Sequence, residues 1–286
     1  MSVEAPGLYD LEAAEYHADP IAEGSLSQSR AKVLLEEGGP AKFKAAQDGP
    51  RVEKKEFDEG TAVHALLLGK GQERLELVDA DDYRTKAAQV ARDAAYAAGK
   101  TPLLPKQLAA VRRIVDQVNP AIREMFTEGD AEVSMFWQHP SGLWLRGQMD
   151  YYIPGVGILD LKTMRDTTNR GFARATWDLR YYMQAAWYRR GVEALTGELL
   201  PYTIVGIEKA TPYLARAKQL SEDYLALGEA HMDQAIATYL HCVETDQWPG
   251  HSPEVETLNP PPWAGADLAN ATIAALEALI ESDPNE

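Results

Sequence analysis

Cysteine is almost missing from this chain: Cys242 is the only one in 286 residues. An intrachain disulfide is therefore excluded, and so is a zinc or iron–sulfur centre held by several cysteines of this chain. No apolar run approaches the roughly 20 residues that a membrane-spanning helix needs. The opening Met1-Ser-Val-Glu-Ala-Pro-Gly7 has neither the basic start nor the apolar stretch of a signal peptide, so a cytoplasmic protein without a membrane partner is expected. Three catalytic signatures are absent as well. There is no Gly-x-x-x-x-Gly-Lys-Ser/Thr loop, no Gly-x-Gly-x-x-Gly after a strand and no Gly-x-Ser-x-Gly elbow, which argues against ATP-driven motors, dinucleotide enzymes and serine hydrolases of that type. Positive charge is scarce too: 28 Lys and Arg stand against 44 Asp and Glu, a net charge of -16. Nonspecific coating of nucleic acid, which depends on neutralising phosphates, is thereby disfavoured. A local site is not, because residues 160–190 hold seven basic and three acidic side chains.

Hydrophobic residues at 45% and charged residues at 25% are ordinary globular usage. The length can bury a substantial core, and the pattern reads as one domain, 1–286, with helical additions. Residues 1–24 are expected to lie on the surface or stay mobile. A helical part, 25–127, follows, then a core, 128–220, and a C-terminal helix and tail, 221–286. Within the helical part, Ser27 caps a helix over 28–36 that Gly38-Gly39-Pro40 stops, and an apolar helix covers 60–68. Two more helices are expected over 84–98 and 105–126. Period-two alternation predicts a hairpin, 132–138 and 143–153, turning at His139-Pro-Ser-Gly142. A short strand ends at Lys162, a helix runs over 176–192, and a strand over 202–208 completes a crossover. An edge strand within 212–219, a long helix 221–246 and a last amphipathic helix 265–282 close the chain.

The chemistry concentrates in Gly147-Gln-Met-Asp150, in Ile158-Leu-Asp160-Leu-Lys162-Thr163 and in Gln184-Ala-Ala-Trp-Tyr188. Side chains two apart on a strand share a face, so Asp160 and Lys162 project together. If the strand bearing Asp150 lies beside them, two carboxylates converge next to an ammonium. Asp150 and Asp160 are then suited to Mg²⁺ or Mn²⁺, and Lys162 to orienting or deprotonating a water. A structural ion pair is the alternative. Gln184 and Tyr188, four apart, share one helix face with Tyr181 and either meet DNA or brace the site. Glu132 is a further carboxylate or a surface acid, and a lone His64 on an apolar helix is more often a hydrogen-bonded core residue than a ligand.

These residues resemble the PD-(D/E)xK nucleases, in particular the RecB-like exonuclease branch and the nuclease domain of phage and prophage exonuclease VIII (RecE). The resemblance takes in Tyr16-His-Ala18, Leu26-Ser-Gln-Ser29, Gly60-Thr-Ala-Val-His64, the three motifs above and Trp248-Pro-Gly250. It implies an α/β (α+β) restriction-endonuclease-like αβββαβ core. His64, Asp150, Asp160 and the Leu161 backbone carbonyl are implied as metal ligands, with Glu132 matching less firmly. Lys162 is implied as the catalytic lysine, and Gln184 and Tyr188 as the QxxxY motif. The activity implied is Mg²⁺-dependent degradation of linear double-stranded DNA from its ends, 5' to 3', leaving single strands for recombination. Its partners would be DNA ends, a RecT-like single-strand annealing protein and further copies of the chain, which in several relatives close into a ring. An endonuclease with the same core, a noncatalytic DNA-end binder and an acidic metabolic enzyme are the other readings.

Overall fold

A computed structural model describes residues 2–49, 58–259, 261, 264, 272 and 273. The chain divides into two compact units, Met1–Gly250 and His251–Glu286. Of the second, the stretch 251–259 has no helix or strand, and the helix expected over 265–282 lies almost wholly outside the described residues.

The first unit opens with β1 (Gly7–Tyr9), α1 (Ala13–Ala18), β2 (Leu26–Ser27) and α2 (Gln28–Ala31), and a 3-10 turn, Lys32–Leu35, continues α2. Then come α3 (Gly39–Asp48), α4 (Asp58–Leu68), β3 (Leu75–Leu77), α5 (Lys86–Ala97), β4 (Thr101–Leu103), α6 (Pro105–Gln117) and α7 (Pro120–Glu124). The hairpin is β5 (Asp130–Gln138) and β6 (Trp144–Ile153), followed by β7 (Gly157–Met164), α8 (Asn169–Asp178), α9 (Tyr181–Thr196), β8 (Tyr202–Glu208), β9 (Ala215–Gln219) and α10 (Glu222–Thr245).

The main sheet runs β1-β5-β6-β7-β8-β9, and β2 pairs in parallel with β6. β5, β6 and β7 are antiparallel neighbours, whereas β7 and β8 are parallel and joined by the α8–α9 crossover. A parallel pair covered on both faces requires apolar residues on both, and β7 supplies them. Ile158 packs with Ile204, Met183 and Trp187 in the core beneath α9 and α10. Leu159 and Leu161 pack with Ala62, Val63, Val111 and Ile114 in a second core, beneath α4 and α6.

Several expectations need correction. Residues 2–24 belong to the fold: β1 pairs with β5, and Val3, Leu11, Tyr16 and Ile21 bury against Phe136. Gly38-Gly39-Pro40 ends one helical segment and starts another. Gly38 adopts the left-handed conformation and Pro40 sits in the first turn of α3, where its missing N–H costs nothing. Phe43 of α3 then stacks on Trp248, at 5.5 Å between centroids. The helix expected over 105–126 is two, because Asn119-Pro120 breaks it and Asn119 caps α7. The helix expected over 176–192 is also two. Arg180 at φ 55° divides α8 from α9, and its guanidinium donates to the Leu35 carbonyl at 3.3 Å.

Candidate active site

The site forms where β6 and β7 part. Their ladder pairs Ile153 with Gly157, Tyr152 with Ile158 and Tyr151 with Leu159. One step further along this register, Asp150 faces Asp160. There the ladder stops, and the Leu161 N–H donates to Asp150 Oδ2 at 2.8 Å. A carboxylate thus replaces a backbone carbonyl as acceptor, so the N–H stays satisfied while the strands diverge.

Alternation breaks at the same level. Met149 and Val133 pack in the α9 core, whereas Tyr151 and Ala131 pack in the α4–α6 core. On regular strands Met149 and Tyr151 would share a face, so the period-two alternation expected through 143–153 does not hold across this level. Glu132 lies between Val133 and Ala131 at φ 52°, a conformation that costs a non-glycine residue roughly 1–2 kcal/mol. Its carboxylate is held by Arg74, Nη2 to Oε2 at 2.7 Å.

Asp160 is fully buried. Lys162 Nζ contacts both its oxygens, at 2.7 and 2.6 Å. Gln184 Nε2 donates to Oδ1 at 3.0 Å. Oδ2 receives no well-directed hydrogen bond, so its contact with Lys162 is chiefly ionic. Burial pushes the Asp160 carboxyl up to about 6, offset in part by the Lys162 charge and reinforced by Asp150. Asp150 is raised by burial, with Lys162 and the Leu161 N–H opposing. For Lys162 burial alone would lower the pKa, but the two aspartates outweigh it and the value lies above the ordinary one. Its ammonium also stands 5.3 Å from the Tyr181 ring centre, a cation–π contact.

His64 reaches the same point from α4, with Nδ1 at 3.7 Å from Asp150 Oδ2. Burial and the Lys162 charge lower its pKa to about 4, against a hydrogen bond to the Leu161 backbone. At neutral pH it is an uncharged imidazole with a lone pair to offer. Gly60, one turn earlier, lets α4 approach β7: a Cβ there would stand 3.2 Å from Thr163 Oγ1.

Tyr188 is brought close but not onto Asp160. It is buried behind Gly147, one helical turn from Gln184, and burial raises its phenol well above the usual range. Sequence reasoning missed Tyr202. Its buried hydroxyl points at Asp160, whose charge, after burial, raises the phenol well above its usual range. Its only sequence signal was parity on β8: it lies two residues before Ile204, which pairs with Asp160.

Beside these residues lies a cleft of about 370 Å³ lined by His64, Glu132, Gln148, Lys162, Thr163 and Tyr181. Thr163 and Tyr181 also line a neighbouring cavity of about 690 Å³ containing Arg165 and Arg174. The basic segment 160–190 is less concentrated than its composition suggested, since Arg189 caps the Leu200 carbonyl and Arg190 pairs with Asp233 of α10.

The donor set has the chemistry of a hard divalent cation site: two carboxylates, an imidazole and a backbone carbonyl, with one buried carboxylate oxygen lacking a hydrogen bond. Among the described residues no three His, Cys, Asp or Glu side chains already stand as a metal cage, and the Lys162 ammonium bridges the two oxygens of Asp160.

A helix, three antiparallel strands, a helical crossover and a parallel fourth strand make up the αβββαβ core of the restriction-endonuclease-like PD-(D/E)xK nuclease fold. A model of the PDDEXK-like domain of unknown function (DUF3799) matches residues 27–261, and the chain belongs to that family. A provisionally named exonuclease from Eubacterium rectale shares the fold, with a TM-score of 0.61 at 19% identity over 88% of this chain and 96% of that one. An alkaline exonuclease from Laribacter hongkongensis is far more distant, with a TM-score of 0.28 at 13% identity over 64% of this chain and 89% of that one. No curated protein sequence matches.

Proposed function

We propose that this protein is a divalent-metal-dependent exodeoxyribonuclease that shortens linear double-stranded DNA from its ends, 5' to 3', and leaves single strands for recombination. The observation carrying this reading is the meeting of Asp150, Asp160, Lys162, His64 and Gln184 where β6 and β7 separate. Asp150, Asp160, the Leu161 carbonyl and neutral His64 would hold Mg²⁺ or Mn²⁺, with Glu132 as a further carboxylate. Bound there, the ion would supply an acidified water and neutralise charge on the scissile phosphate. Lys162, drawn to Asp160, orients the attacking water and gives positive charge to the phosphate oxygens. Gln184 fixes the Asp160 carboxylate, and Tyr188 backs Gln184 from the core. Asp150 is held in place by the Leu161 N–H.

The neighbouring cavity mixes Arg165 and Arg174 with Asp166 and Asp178 in a chain that carries -16 overall, so DNA binding is expected to be local and strongly salt-dependent. A ring of further copies would retain DNA by topology, and the single strands produced suit an annealing protein of the RecT kind.

The test is incubation of purified protein with 5'-labelled linear duplex, 3'-labelled linear duplex and covalently closed circular DNA, with Mg²⁺, Mn²⁺ or EDTA. Metal-dependent loss of the linear forms alone, with the 5' label released first, is expected. Asp160→Ala should abolish it while the protein stays folded. Cutting of the circle would make it an endonuclease, and undiminished turnover by the Asp160 variant would sink the site assignment.

A further inference from the structure

Edge strand β9 holds two cations that the site described above does not use. Arg216 Nη1 and Lys218 Nζ both donate to one atom, Asn169 Oδ1, at 3.1 and 2.9 Å. Two positive groups sharing a single neutral oxygen lie close enough to repel each other, and no ion pair compensates either of them among the described residues. The acids nearby in sequence are engaged elsewhere. Asp166 accepts the Thr168 N–H at 2.7 Å, and Glu208 accepts the Thr167 N–H and hydroxyl at 2.7 and 2.9 Å. In a chain with 44 acidic against 28 basic residues, two clustered cations without a carboxylate are unexpected.

Their place in the sheet is informative. Asp160 pairs with Ile204, which pairs with Lys218; Lys162 pairs with Gly206, which pairs with Arg216. The two cations therefore extend the rows of Asp160 and Lys162 across β8, two strand spacings or about 10 Å away. α8 lies over the intervening strand, with Phe172 against Gly206 and beneath the Lys218 ammonium at 5.8 Å. Asn169 is the first residue of α8, so the cluster also meets the positive end of a ten-residue helix.

We propose that Asn169, Arg216 and Lys218 form a binding site for a backbone phosphodiester of the DNA substrate, flanking the cleft. The anion replaces the amide oxygen as the shared acceptor, and the Asn169 amide turns to donate. This rests on the nuclease reading above, and it adds a phosphate contact that sets the position of DNA without reading its sequence.

The experiment measures duplex binding in EDTA across a salt series for the wild type, Asn169→Asp, Arg216→Ala/Lys218→Ala and Arg216→Lys. Asn169→Asp supplies the missing carboxylate, so it should fold at least as well as the wild type by thermal unfolding while repelling phosphate. Losing one phosphate contact should make the slope of log K against log salt shallower by about 0.9, or about fivefold weaker binding at 0.15 M. Both the Asp variant and the double alanine variant are expected to show this, whereas Arg216→Lys keeps the wild-type slope. Arg190→Ala, a charge removed from a surface pair between α9 and α10, should leave the slope unchanged. If the wild type binds and cuts DNA but Asn169→Asp and the double variant keep its slope, the phosphate site is overturned and the nuclease reading stands. If the wild type neither binds nor cuts DNA, the nuclease reading falls and the site falls with it.

Discussion

Replacing Gly147 by alanine adds one methyl at the back of the site, and the geometry sets what must give. A Cβ at 147 would stand 2.5 Å from Met135 Cε and 2.9 and 3.1 Å from Cε1 and Cδ1 of Tyr188. The methionine terminus is flexible and can swing aside. The Tyr188 ring is buried and lies edge-on to Tyr202 at 6.2 Å, so it must move as a body by about half an ångström to restore ordinary contact. Overpacking of this kind costs about 1–3 kcal/mol, or about 2–10 °C in Tm for a domain of this size. The displaced ring lies one helical turn from Gln184, the donor to Asp160, on the same face of α9, and a misplacement approaching 1 Å costs up to about 100-fold in rate. Gly147→Ala is therefore expected to lower kcat on linear duplex at least tenfold at a temperature where it remains folded by circular dichroism. Gly147→Ala/Tyr188→Leu, which frees the space, should recover Tm but not rate. A Gly147→Ala protein with wild-type Tm and wild-type turnover would refute the chain of contact from Gly147 through Tyr188 and Gln184 to Asp160.

Two further perturbations test other parts of the site. Glu132 has a left-handed backbone and an ion pair with Arg74; both Glu132→Gly and Glu132→Ala remove the pair, but only glycine is relieved at φ 52°. Urea unfolding should find Glu132→Gly more stable than Glu132→Ala by about 1 kcal/mol, reversing their usual order in a strand, and equal stabilities would remove the backbone argument. His64 titrates near 4 in the fold against 6.5 unfolded, so the unfolded chain takes up the proton first and stability is lost as pH falls from 6.5 to 4. Asp160, at about 6 against 3.8, is protonated first in the folded state and contributes the opposite trend as pH falls from 6 to 3.8. The two trends oppose in the wild type without metal, and His64→Gln removes only the first. The His64 side chain keeps 26% of its surface open, which reduces the full effect to about 2 kcal/mol in favour of the variant on going from pH 7 to 4.5 in EDTA. Parallel pH profiles for the two proteins would show that His64 is not held neutral.

The elements were legible wherever periodicity was long and unambiguous, and the site was legible because its spacing is set by strand geometry. Ile158 to Lys162 reads as a strand buried on both faces, and β7 lies between two cores. Asp160 and Lys162 could then be placed on one face, and their contact at 2.6 Å follows from that parity. What could not be read was decided by single residues acting through tertiary contacts. Arg180 ends α8 in a conformation that no helix propensity forecasts, stabilised by a carbonyl 145 residues away in sequence. Residues 3–21 look like a polar, glycine-punctuated leader, yet Tyr16 and Leu11 bury against Phe136 because β1 completes the edge of β5. Tyr202 looked like an ordinary aromatic strand residue, and only the parallel register of β8 on β7 aims its hydroxyl at Asp160.

The most consequential case is Glu132. Regular alternation would have put Met149 and Tyr151, and likewise Val133 and Ala131, on common faces. Glu132 takes a left-handed conformation at the level where both strands exchange faces, and the ladder between β6 and β7 ends at the next pair, Asp150 and Asp160. The two carboxylates face one another where the ladder ends, and Asp150 takes the Leu161 N–H that the ladder gives up. The irregularity that defeats pattern reading thus lies on the wall of the cleft, and because its cost is in the backbone, relieving it with glycine and merely deleting its side chain with alanine are expected to part company.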